Sequence, residues 1–262
     1  MNLAQSRVVL RRRTISEILD LAVRLCAGQA LGLYVRLALL VLLPCYAACL
    51  VLRYVLDWHW IAVWVAAVLS TSLLQGVFTV AAGRWLFSER LGVGEVLRTF
   101  AQQVGSYFGA WLTSRFVLTV STVLLPYAAT RMLFVHEASL LERSPFMRSA
   151  SRASRFVTGA ADRAFGMWLA LLAAQITAAV LTQILCQGVV DGVLQLGDLF
   201  PPLLDELGSP YALLGLMLAV PFVATARFLM YIDLRTRRDG WDIQVSFMAI
   251  AAEQQSLMGG AG

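Results

Sequence analysis

Few residues in this chain are suited to bond-making chemistry, and those few are scattered. There are two histidines, His59 and His136, and four cysteines, Cys26, Cys45, Cys49 and Cys186. Metal-assisted hydrolysis of a phosphodiester needs several carboxylates and imidazoles converging on one cation. A structural zinc site needs Cys and His ligands at short, paired spacings. Neither pattern occurs here. The cysteines sit in or beside apolar stretches, where they read as small hydrophobes, and Glu137 beside His136 is the sole acid–base pair in sight. The chain has no Gly-rich phosphate loop, serine nucleophile elbow or Cys–His pair. The expectation is therefore a protein that is not an enzyme and carries neither metal nor cofactor.

A second group of residues is chemically capable because of where it lies. Arg36, Gln75, Arg115, Gln175 and Gln183 interrupt apolar stretches, and polar groups at membrane depth are functional candidates by default. Clustered, they would hold a lipid phosphate or line a polar cavity. Unclustered, the arginines would snorkel to an interface and the glutamines would hydrogen-bond between helices.

The elements that must carry these residues are legible in the composition. Hydrophobic residues make up 59% of the 262 and charged residues 14%, whereas soluble domains run at about 45–50% and about 25%. All 21 basic residues are arginine, and the net charge is +5. No arginine falls between Arg53 and Arg84 or between Arg163 and Arg227, and the second gap holds Asp191, Asp198, Asp205 and Glu206. Basic residues are retained on the side from which a membrane protein inserts. The arginines flank apolar segments, which points to anionic lipid headgroups as partners and away from nucleic acid.

The resulting plan is an all-α polytopic membrane protein of about six membrane segments with three amphipathic helices on the cytoplasmic side. Amphipathic stretches are expected at 14–29, 92–107 and 145–163, and spans at 32–55, 61–86, 164–187 and 211–231. In the first amphipathic stretch Thr14 or Ser16 can cap the helix, and Glu17 lies in its first turn. The acidic loop 188–209 goes outside, and 252–262 forms a tail. Residues 108–138 are too short for two full spans and long for one. Basic stretches on both sides require an even number of crossings, which favours a short or re-entrant hairpin bent near Leu124–Pro126 over one long tilted helix. Parts of the plan recur: Glu17–Ile18–Leu19 matches Glu95–Val96–Leu97, Gly28 and Gly32 match Gly105 and Gly109, and Pro44 matches Pro126.

Directly after the last span come Tyr231, Asp233, Arg235, Arg237, Arg238, Gly240 and Asp242. Asp233 and Arg237 stand four apart, as partners on one helix face do, and Gly240 suits a left-handed helix cap. A central motif joins Glu142 and Pro145 to Arg152, Arg155 and Gly159. With Arg13 ahead of Glu17–Ile18–Leu19–Asp20, these strings resemble the bacterial glycerophosphoryl diester phosphodiesterase membrane-domain group. That group ends a last span with Tyr-x-Asp-x-Arg-x-Arg-Arg-x-Gly-x-Asp. The resemblance covers nearly the whole chain, with Ala153 standing where the group usually has Ser. It implies a helical fold of about six membrane segments in the bacterial inner membrane, without a catalytic domain. The functional expectation is a scaffold or assembly partner with both termini cytoplasmic, associating with a membrane-protein partner or a second copy. The alternative is a lipid-binding or transport protein with an Arg/Gln-lined cavity.

Overall fold

The computed structural model describes residues 13–87, 91–120, 160–197, 200, 203 and 207–239. Every regular element among them is helical. Four helical stretches, Leu31–Tyr54, Trp60–Leu86, Ala161–Val193 and Pro210–Arg237, are long and apolar enough to cross a membrane, so the chain is an all-α membrane protein. A helix suits such sequences because the hydrocarbon region offers backbone groups no partner outside their own segment.

The first described helix, α1 (Ile15–Arg24), begins in the expected capping box. The Thr14 side chain accepts from the Glu17 backbone N–H, and the Glu17 carboxylate accepts from the Thr14 N–H at 2.8 Å. A wide π turn, Leu25–Gln29, joins α1 to α2 (Leu31–Leu37), and a second, Ala38–Leu42, joins α2 to α3 (Leu43–Tyr54). Pro44 accounts for the second turn. Its ring has no N–H to give the carbonyl four residues back and crowds that carbonyl, so the preceding turn widens.

After a short loop come α4 (Trp60–Phe87), α5 (Val93–Val120) and α6 (Ala161–Gln187), the last extended by a π turn at Gly188–Val193. Helix α7 (Pro210–Leu218) is capped by buried Ser209, with Pro210 in its first turn, where a missing N–H does no harm. It breaks at Ala219 and resumes as α8 (Val220–Asp239). The break lies just ahead of Pro221, which cannot donate to the carbonyl of Met217.

Helix α8 is the most enclosed and α4 the next, while α2–α3 and α6 turn most of their apolar side chains outward. Helix α4 runs parallel to α7–α8: Gly208 touches the Trp60 ring at one end, and Gln75 bonds Arg227 further along. Helix α6 runs antiparallel to them, with Gly215 of α7 pressed against Ala178, Ala179 and Thr182. Helix α5 runs antiparallel to α4 for most of its length. The pairs Arg84 with Glu95, Gly76 with Phe100 and Tyr107, and Ser72 with Trp111 mark the alignment.

These placements refine the reading of three segments. The stretch 92–107 is not a separate surface helix; it is the first half of the 28-residue α5 and lies along α4, because Val96, Phe100 and Tyr107 pack into α4. The apolar face of α1 packs inward: Ile18 and Ala22 are buried among Ala164, Met167 and Phe228 of α6 and α8. Around the glycines matched between the two halves, Gly28, Gly32, Gly105 and Gly109, no described residue lies within 4 Å of an added Cβ, so they mediate no close approach among the described helices. The first arm of the expected hairpin begins inside α5. Its bend at Leu124–Pro126, the amphipathic stretch up to residue 159 and the tail 252–262 lie outside the described residues.

Candidate functional site

The two ends of the bundle differ in chemistry. At one end the carboxylate of Asp233, on α8, is buried at 4% exposure and gathers three segments. It accepts from the Arg13 backbone N–H at 2.8 Å, from Arg163 of α6 at 3.1 Å and from Arg237 of its own helix at 2.8 Å. The same two guanidiniums also donate to the Arg13 carbonyl, at 2.6 and 2.8 Å. Backbone and side chains thus form one knot in which each charge is paired and hydrogen-bonded, the condition under which a buried ion pair is tolerated. The expected Asp233–Arg237 pairing is present, and Arg13, from the opposite end of the sequence, is its unforeseen partner. Arg84 and Arg235 stand at the same end.

The other end is aromatic. Tyr54, Trp60, Phe200 and Tyr211 pack ring against ring with centroids 5.4–6.5 Å apart. The Arg53 guanidinium lies 5.8 and 5.6 Å from the Tyr54 and Trp60 rings, a cation–π arrangement. Trp64 Nε1 donates to the Leu207 carbonyl at 2.9 Å and the Tyr46 hydroxyl to that of Pro210 at 3.1 Å. Amphipathic rings of this kind collect at a membrane–water boundary.

Between the ends lies a polar cluster. Arg227 of α8 is only 8% exposed, and its Nη1 donates to Gln75 Oε1 of α4 at 2.8 Å. Gln75 is about two and a half turns, roughly 14 Å, from Arg84 along α4. Arg115 of α5 is half-buried. Around this group, Trp111 Nε1 donates to Ser72 Oγ at 2.6 Å and the Tyr107 hydroxyl to the Ser72 carbonyl at 3.0 Å. A neighbouring set fixes the α7–α8 break: Thr225 Oγ1 donates to the Pro221 carbonyl at 2.7 Å and receives the Tyr34 hydroxyl at 2.8 Å, with the Cys26 thiol beside both.

Of the five intramembrane candidates, Gln75 bonds across helices to Arg227, and Arg115 is half-buried on α5. Arg36 is exposed on the outer side of α2, and Gln175 is half-buried on α6. Gln183 is buried near the aromatic end, donating to Gln187 of its own helix at 3.1 Å. Arg227 is the residue that sequence reading missed as a site. Its signal was a lone arginine inside the last apolar stretch, well before the arginines that close it. Tyr231 is buried. Glu142, Pro145, Arg152, Arg155, Gly159, Gly240, Asp242 and the Arg238 side chain lie outside the described residues. No group of three or more His, Cys, Asp or Glu suited to a metal occurs among the described residues. Comparison with protein-family models, curated proteins and solved structures returns no match.

Proposed function

We propose that this chain is a non-catalytic scaffold of the bacterial cytoplasmic membrane, with both termini cytoplasmic and its arginine end seated on anionic headgroups. The opposed chemistry of the two ends carries this reading. Each juxtamembrane arginine near an anionic leaflet contributes about 1 kcal/mol, and Arg13, Arg84, Arg163, Arg235 and Arg237 converge on one end. Arg84 and Arg163 stand at that same end, as an even number of crossings between them requires, which agrees with about six segments in all. The partner would be another membrane protein or a second copy, held by the outward faces of α2–α3 and α6. Blue-native electrophoresis of gently solubilised membranes tests this. A defined complex well above the mass of one chain supports the scaffold, and migration as a single chain at every detergent level overturns it.

A second reading, lipid handling or transport, is favoured by the buried guanidinium of Arg227. An arginine at the centre of a span costs about 2.5–3.5 kcal/mol on insertion scales, an expense that a purely passive anchor gives no reason to bear. Transfer of labelled anionic lipid between the leaflets of reconstituted vesicles, compared with protein-free vesicles, tests it; equal rates would remove it.

A further inference from the structure

We infer that the loops at the aromatic end of the bundle form a docking face for a cationic amphipathic segment of another protein. The inference rests on the scaffold reading for its biological role, and on the loops themselves for the face.

Two loops meet at this end. The Tyr54 and Tyr211 rings both pack on Phe200, and Trp64 holds the Leu207 carbonyl, which ties the turn after α3 to the segment after α6. Beside and beyond those rings stand six large apolar side chains, Val55, Leu56, Trp58, Val193, Leu194 and Leu196, each between 45% and 74% exposed.

Lipid does not account for them. The 33 residues from Ala161 to Val193 rise roughly 50 Å, whereas the 27 from Trp60 to Leu86 rise roughly 40 Å between the same two ends. The hydrocarbon core is about 30 Å thick. The end of α6 therefore projects past the rings, with Leu194 and Leu196 following it. Large apolar side chains grouped outside the hydrocarbon mark an interaction surface.

The same loops hold a strained shape. Asp57, Gln195 and Leu207 have φ of 52, 53 and 56°, a left-handed conformation that costs residues other than glycine about 1–2 kcal/mol each. Among the described residues, every non-glycine position of this kind lies at this end. Such strain persists where the surrounding structure fixes it, and it concentrates where a loop's shape is used.

Charge selects the occupant. Asp57 is exposed between Leu56 and Trp58, and Asp191 is half-buried one turn before Leu194. Arg53 is the single arginine at this end among the described residues, and its guanidinium lies over the Tyr54 and Trp60 rings. In sequence, the segment after Leu196 adds Asp198, Asp205 and Glu206 and no basic residue before Pro210. A second copy offering the same face would set acid against acid, and anionic headgroups are repelled likewise. A helix with Lys or Arg along one side and apolar residues along the other meets both the acids and the apolar patch.

The test uses the full chain in phosphatidylcholine nanodiscs, with an amphipathic Leu/Lys helical peptide as probe and a Leu/Glu peptide of the same pattern as its control. Affinity is read by fluorescence anisotropy against empty nanodiscs. The wild type is expected to bind the Leu/Lys peptide and not the Leu/Glu one. Leu194→Ser with Leu196→Ser keeps every charge and should weaken binding at least about tenfold. Asp57→Asn with Asp191→Asn keeps the apolar patch and should weaken binding and flatten its salt dependence. Equal affinity for the two peptides, no binding above that of empty nanodiscs, or unchanged binding by the folded serine variant overturns the face. Pairing of two wild-type chains that the serine variant abolishes would give the face to a second copy and overturn it as well. Blue-native electrophoresis of the same variants keeps the readings apart: a complex that survives them leaves the scaffold standing whatever the peptides do.

Discussion

Asp233 shows how one carboxylate can organise the end of a bundle. Its two guanidinium partners are themselves only about a quarter exposed, 25% for Arg163 and 28% for Arg237, so solvent weakens the attraction only in part. Changing Asp233 to Asn removes the negative charge and leaves the two guanidiniums facing one another across the Arg13 carbonyl. The expected loss is about 2–3 kcal/mol, somewhat below the range for fully enclosed pairs, and is read as a lower Tm in detergent. In a double-mutant cycle with Arg237→Gln the two losses should fall clearly short of additive; strict additivity would mean that the pair contributes nothing to stability. The i,i+4 half of this knot was legible in the sequence, because helical spacing dictates it. The half made with Arg13 and Arg163 was not, since no local pattern specifies which chain ends meet. Arg227 was hidden for a related reason: an arginine in an apolar stretch reads equally as a snorkelling anchor until the opposite helix shows Gln75 beside it.

Four-residue spacing alone does not mark where these helices meet. Gly28 with Gly32, and Gly105 with Gly109, have the four-residue interval of a close helix contact, yet an added Cβ at any of them meets no described residue within 4 Å. The contact glycines are single. An added Cβ at Gly215 would strike the Ala178 carbonyl and lie 2.7 Å from Ala179 Cα, and one at Gly76 would lie 2.7 Å from both the Phe100 and Tyr107 rings. Backbone cannot retreat as a flexible side chain can, so Gly215→Ala should destabilise by about 1–3 kcal/mol, as overpacking does. Gly109→Ala, which meets no described residue within 4 Å, should be neutral or stabilising by up to about 1 kcal/mol, because it lowers the entropy lost on forming helix. Thermal unfolding of the two variants side by side checks this, and the reverse order would place the helix contact at the paired glycines after all. The spans themselves were readable to within a few residues at α2–α3 and α4, where length and hydropathy suffice. Helix α5 was not. Its polar first half reads as a surface helix in isolation, and only its packing on α4 joins it to the apolar half that follows.

Among the described residues, the arginine map and the fold divide the bundle in the same way. The map came from where basic residues fall along the chain; the division in space comes from Asp233 drawing in Arg13, Arg163 and Arg237 at one end while rings pack at the other. If the arginine end is cytoplasmic, the loop at Asp57–His59 and the segment after Val193 both face outward. The membrane potential and the retention of basic residues act in the same sense on that orientation. A cysteine placed at Trp58 or Leu196, in a chain whose four native cysteines are replaced by Ala, should react with a membrane-impermeant maleimide added from outside. One placed at Gly94, at the start of α5 beside the Arg84–Glu95 pair, should react only once the membrane is opened. The two outer sites must label together, because the ring contacts of Tyr54, Phe200 and Tyr211 hold their segments at one end. Labelling of one outer site without the other would contradict the bundle itself. Labelling of Gly94→Cys alone from outside would leave the bundle intact and invert its orientation.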